Sequence, residues 1–163
     1  MQTFKDATVT AYAYGRDNAF KGHPDGGDCV SKTSDPKRIF GKAAHAVLGS
    51  GLFTSPSSMA KHPKSDIPFG SMAYVYERGW FVIEDVCGAD LEMPRFDMWS
   101  GPSTGHEMSM LTLRKSAVVV VYSDPNSVPS DLKALGPSPA WTAHFQKMKQ
   151  RIREKNLKLF VAP

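Results

Sequence analysis

A chain of 163 residues and 17.9 kDa is long enough to bury one real core and too short for two full domains. Its 20 Lys and Arg against 16 Asp and Glu leave a formal charge of +4, which favours polyanionic surfaces as partners and is too small an excess to make nucleic acid a specific partner. The first residues, MQTFKDATVTAYAYG, lack the basic start and apolar core of a signal peptide, and no apolar run approaches the length of a membrane span.

In chain order, residues 7–14 (ATVTAYAY) alternate Thr and aromatic side chains with small ones and predict a strand. Residues 15–41 are rich in Gly, Asp, Pro and Ser, and predict a long ordered excursion forming one wall of a groove. A short strand is expected at 43–48 (AAHAVL), followed by a loop through GSGLFTSPSSMAKHPKSD with at most a turn of helix. Strands are expected at 71–76 and 80–85, joined by a tight turn over Glu77 to Gly79, where Gly79 supplies positive φ. The β-branched run SAVVVVYS predicts a further strand at 116–123. Ser138 and Pro139 then serve as cap and first residue of a helix to about 156. Its apolar stripe is Trp141, Phe145, Met148 and Ile152, and Lys147, Lys149, Arg151, Arg153 and Lys155 form a solvated face. Short strands between Gly- and Pro-rich loops make a small, mainly β barrel, with the helix across its open end. The domain reading is a single unit over 1–163, a barrel core over 8–123 and a helix over 138–156.

Chemistry is sparse along the chain. The five histidines at 23, 45, 62, 106 and 144 are dispersed, with no Cys-His set and no His-Glu-x-x-His helix, so neither a metal nor another cofactor is expected. The segment GGDCVSKTSD offers Cys29 as the nucleophile of a cysteine amidase, with His45, His62 or His106 as base. The residues after Cys29 lack a helical stripe, and a structural thiol is the competing reading. Two cysteines, Cys29 and Cys87, allow one disulfide, which would pin the 15–41 excursion beside Asp85. The carboxylates carry more. In FVIEDVCGADLEMPRFDMWSG, Asp85 ends an apolar run and Asp97 sits between Phe96 and Met98-Trp99. An acid that protonates a glycosidic oxygen near neutral pH needs burial or a like-charged neighbour. The spacing suits two adjacent strands and a loop, and backbone hydrogen bonding at a strand end explains either residue without chemistry, the structural or supporting reading being the stronger one for Asp85.

The ordered pieces TVTAYAY, SDIPFGSMAYVY, FVIEDVCG and RFDMWSG resemble the three-aspartate domain, over about residues 8–101. That domain is a six-stranded double-psi β-barrel related in shape to barwin, expansins, rare lipoprotein A and the catalytic barrel of membrane-bound lytic transglycosylase A. The resemblance places its three acids on Asp66, Asp85 and Asp97. It implies that one of them protonates the glycosidic oxygen before the sugar's own hydroxyl closes an anhydro ring. Related inverting endoglucanases have His-Phe-Asp where this chain has Arg95-Phe96-Asp97, and an early base for which Asp17 is the candidate.

The expected function is cleavage of a β-1,4-linked cell-wall polysaccharide, preferably peptidoglycan, by a monomer acting at an extracellular, periplasmic or cell-wall site. Asp97 would donate the proton, Asp85 would support it and Asp66 would orient the substrate loop. Tyr12, Tyr14, Trp80 and Trp99 are the candidate sugar-stacking rings. The alternatives are an expansin-like wall- or glycan-binding module without turnover, and a secreted effector acting as a cysteine amidase.

Overall fold

The computed structural model describes residues 1–13, 47–86, 92–157 and 160–162. Tyr14, Asp17, Cys29 and Cys87, with His23 and His45, lie outside the described residues, which lend the expected Cys29–Cys87 bond no support.

The chain forms β1 (Gln2–Tyr12), β2 (Val47–Leu48), β3 (Ser57–Lys61), β4 (Met72–Val75), β5 (Gly79–Val86), β6 (Arg95–Trp99), helix α1 (Gly105–Leu111) and β7 (Leu113–Tyr122). A 3-10 turn (Pro125–Ser127), a short α2 (Ser130–Lys133), the long α3 (Pro139–Glu154) and β8 (Phe160–Val161) follow. Six strands close into a barrel in the order β1-β6-β3-β5-β4-β7. The β1–β6 and β3–β5 pairs are parallel and the others antiparallel. A closed six-stranded mixed barrel with a long C-terminal helix is the expected fold class, and its form is consistent with a double-psi barrel.

Strand periodicity builds two cores. Alternate residues of all six strands, among them Val9, Phe96, Met59, Ile83, Ala73 and Val119, meet in one buried cluster. The opposite face of β4, β5 and β7 gives a second cluster, Met72, Trp80 and Tyr122, which packs with Val128 and Leu132 from the segment after β7. Glu77 (φ 62°) and Gly79 (φ 93°) turn the chain between β4 and β5 as expected. A Cβ on Gly79 would stand 2.3 Å from the Gly51 carbonyl oxygen, so the turn needs Gly for space as well as for φ.

Ser138 caps α3 by accepting from the Trp141 N–H, with Pro139 at the first helical position. Trp141, Phe145, Met148 and Ile152 are buried as the stripe predicts, and each contributes about 2 kcal/mol of apolar burial. The Phe145 ring lies 6.5 Å from Phe81 near the start of β5. Gly101, just past β6, lets Met148 close in, since a Cβ there would meet the Met148 Cβ at 3.1 Å. The helix therefore covers the barrel end where β5 begins and β6 finishes.

Three expectations are corrected. Residues 57–61, read as loop, are the central strand β3. Its Ser57 and Ser58 hydroxyls accept from the N–H groups of Gly49 and Val47, which lets two serines be buried in a sheet. Helix α1 was not expected, although Thr104 and Glu107 form a reciprocal capping box at its start. The basic face of α3 is not simply solvated: Arg151 and Lys147 pair with Glu107, and Lys149 donates to Ser50 Oγ and the Ala162 carbonyl.

Candidate active site

Residue Ala60 of β3 is the pivot of the acidic site. It lies in register with Asp85 on the parallel strand β5 and with Asp97 on the antiparallel strand β6. The two acids are therefore not on adjacent strands, as their spacing suggested; β3 runs between them. Two strand spacings separate their backbones by roughly 10 Å, and the side chain between them is a single methyl. The irregularity between Met59 and Ala60 in the β3–β5 ladder brings Asp85, and not Glu84, opposite Ala60.

First-strand hydroxyls reach both acids. Thr10, in register with Asp97, donates to Asp97 Oδ1 at 2.7 Å. Tyr12, two residues on, donates its phenol to Asp85 Oδ2 at 3.2 Å, and the other oxygen of Asp85 accepts from the Val86 N–H at 2.7 Å. Asp85 is fully buried, whereas Asp97 keeps 9% of its surface in solvent. A proton donor must meet its substrate, and this difference in access favours Asp97 for that task.

The donors are themselves held. Tyr12 packs on Trp99 with centroids 5.3 Å apart, and both the N–H and the hydroxyl of Ser100 donate to its carbonyl. The Ser100 carbonyl in turn accepts from Ser103 Oγ and from His144 Nε2 of α3. Burial pushes the His144 imidazole below its ordinary value, against smaller upward effects of the Ser100 carbonyl and the Glu107 charge. On the Asp97 side, Arg95 shares a strand face with the acid and donates from Nη2 to Thr10 Oγ1 at 3.2 Å. Thr10 receives from Arg95 and gives its only proton to Asp97.

The other sequence candidates are placed differently. Asp66 is exposed, in the loop after β3. Lys61 braces that loop, its ammonium donating to the carbonyls of Ser65 and Ile67 and lying 4.7 Å from the Phe69 ring centroid. No group of three or more His, Cys, Asp or Glu able to hold a metal ion occurs among the described residues. Asp66 thus does not join Asp85 and Asp97 in a tight triad. Trp80 is fully buried between Phe53, Tyr74 and Tyr122, and its indole N–H donates to the Leu132 carbonyl. Trp99 is fully buried and Tyr12 is 7% exposed, so none of the three offers a sugar an open ring face. His62 is buried and accepts the Lys64 N–H at Nδ1.

Thr10 is the site residue that sequence reasoning missed. Its signal was present: TVTAY alternates, so Thr10 and Tyr12 project from one face of β1. What the sequence lacked was the pairing of β1 with β6, because that contact joins residues 87 positions apart.

Among the described residues no helix is long and apolar enough to cross a membrane. In general form the barrel resembles glycan-binding and cell-wall modules built on this fold. No family model, curated protein or solved structure matches the chain.

Proposed function

We propose that the protein cleaves β-1,4-glycosidic bonds in a cell-wall polysaccharide, peptidoglycan in preference to cellulose, with Asp97 as the proton donor. The single observation that carries this reading is the placement of Asp97 and Asp85 on either side of Ala60, each holding a hydroxyl from β1. Asp97 protonates the leaving oxygen. Asp85, held by the Tyr12 hydroxyl and the Val86 N–H, stabilises the positive charge that develops on the sugar. Asp66, on its exposed loop, orients the glycan. The anomeric carbon is then captured by the sugar's own hydroxyl or by water. Such an enzyme works where wall is found, outside the cell or in the periplasm.

A non-catalytic wall-binding module would present open aromatic faces, and the burial of Trp80 and Trp99 favours the acid-centred reading over it. The cysteine-amidase reading rests on Cys29, which lies outside the described residues.

The test is digestion of purified insoluble peptidoglycan followed by mass spectrometry of the soluble fraction. Expected are muropeptide fragments with the natural protein and none with Asp97→Asn. Anhydro ends identify ring closure and ordinary reducing ends identify hydrolysis. No soluble sugar above the Asp97→Asn control removes the proposal.

A further inference from the structure

The geometry points to Arg95 as an anion subsite that receives a carboxylate carried by the glycan beside the bond to be broken. This inference rests on the proposed reading of Asp97 and deepens it by naming the substrate class, an acidic saccharide.

A guanidinium has five N–H donors in a fixed fork and pairs best with a carboxylate. Arg95 spends one of them, from Nη2, on the neutral hydroxyl of Thr10. Its Nε–H is buried without a hydrogen-bond partner, and no carboxylate pairs with it among the described residues. A buried unpaired donor costs about 1–3 kcal/mol, a cost that persists in a functional site when a ligand satisfies the group. The residue as a whole is half-buried, so part of it faces solvent although its Nε does not. Residues 95 and 97 share one face of β6, so an anion seated on Arg95 lies beside the proton donor. Thr10 bridges the two side chains, donating at 2.7 Å to Asp97. The arrangement would hold an acidic sugar beside Asp97 through the Arg95–Thr10–Asp97 chain of hydrogen bonds.

Two acidic probes distinguish where the carboxylate sits: a peptide-free tetrasaccharide alternating N-acetylglucosamine with N-acetylmuramic acid, which carries it on an ether side chain, and cellotetraose oxidised at C6, which carries it on the ring. Chitotetraose is the neutral reference for the first and unoxidised cellotetraose for the second. Calorimetric titration in the Asp97→Asn background keeps all four intact. At least one acidic probe is expected to bind roughly tenfold tighter than its reference, with the ratio shrinking as salt rises. Arg95→Gln should bring the ratio to about one, and Arg95→Lys should keep part of it. A ratio of one in the Arg95 protein, or a preference that survives Arg95→Gln in a variant that unfolds normally, overturns the subsite. If Arg95→Gln fails to fold, Arg95→Lys and the salt series decide, and a preference indifferent to both overturns it. These readings measure binding, so failure of the subsite leaves wall cleavage standing, and failure of cleavage leaves the ratio untouched.

Discussion

At the scale of single residues, the site depends on two hydroxyl protons whose directions are fixed by what surrounds them. Thr10 has one proton and gives it to Asp97 Oδ1. Thr10→Val removes that donor while preserving shape. It should lower wall release by about 10- to 100-fold, the scale on which misplaced reacting groups cost rate. The urea midpoint should move little, and Thr10→Ser should recover most of the rate; a Val variant of normal rate would remove Thr10 from the site. Tyr12→Phe takes a donor from a carboxylate with no solvent exposure. Because the lost group is replaced by nothing, the fold should lose about 1–3 kcal/mol in urea titration. An unchanged midpoint would show that the phenol is dispensable to Asp85.

At the scale of elements, legibility followed locality. The β4–β5 hairpin, β7 and α3 were readable because their signals are contiguous: a glycine turn, a β-branched run, and a cap followed by an apolar stripe. Even there the ends moved, with β7 beginning at Leu113 and β1 running back to Gln2. The strand β3 was unreadable because SPSS is turn chemistry until two distant N–H groups satisfy the serines. That omission also misplaced the acids on adjacent strands. Gly79→Ala tests the hairpin. Positive φ and the Gly51 carbonyl both oppose a Cβ, and a loss of at least about 2 kcal/mol is expected in thermal unfolding.

Helix α1 is tied to α3 by Glu107, which accepts from Arg151 at both oxygens and from Lys147. The Arg151 hydrogen bonds, followed by those of Lys147 and the Thr104 N–H, hold this carboxyl well below its ordinary 4.5. Its stabilisation is complete above that value and is lost as pH falls through the depressed one. Glu107→Gln should cost about 1–2 kcal/mol at pH 7. The variant should also show a flatter loss of stability below pH 4.5 than the natural protein; parallel curves would deny the tie its role.

At the scale of the whole molecule, the covering helix and the acidic site are joined through hydrogen bonds from His144 to Ser100, from Ser100 to Tyr12 and from Tyr12 to Asp85. His144 is buried against Trp141 and Phe145, with Glu107, Lys147 and Arg151 as the charges acting on it. Its folded value lies below the ordinary 6.5. Stability is therefore full above 6.5 and falls as pH drops from there through the depressed value, because the unfolded chain takes up the proton first. Thermal unfolding from pH 7.5 to 5 should show this fall, reduced in His144→Gln; an equal fall in both would assign it elsewhere. The barrel, its closure and the helix that covers it were implied by composition, period and resemblance together. The grouping of Thr10, Arg95 and Asp97 was not, because it arises only when β1 and β6 lie side by side.

The most direct test of the central claim is a crystal structure of Asp97→Asn with a cell-wall tetrasaccharide bound. The account predicts a glycosidic oxygen within about 3 Å of the side chain at position 97, with the neighbouring sugar over Ala60 toward Asp85. A tetrasaccharide seated instead in the apolar cavity of about 500 Å³ lined by Pro56, Phe69, Met72, Val82 and Pro125, with no sugar oxygen near position 97, would contradict it.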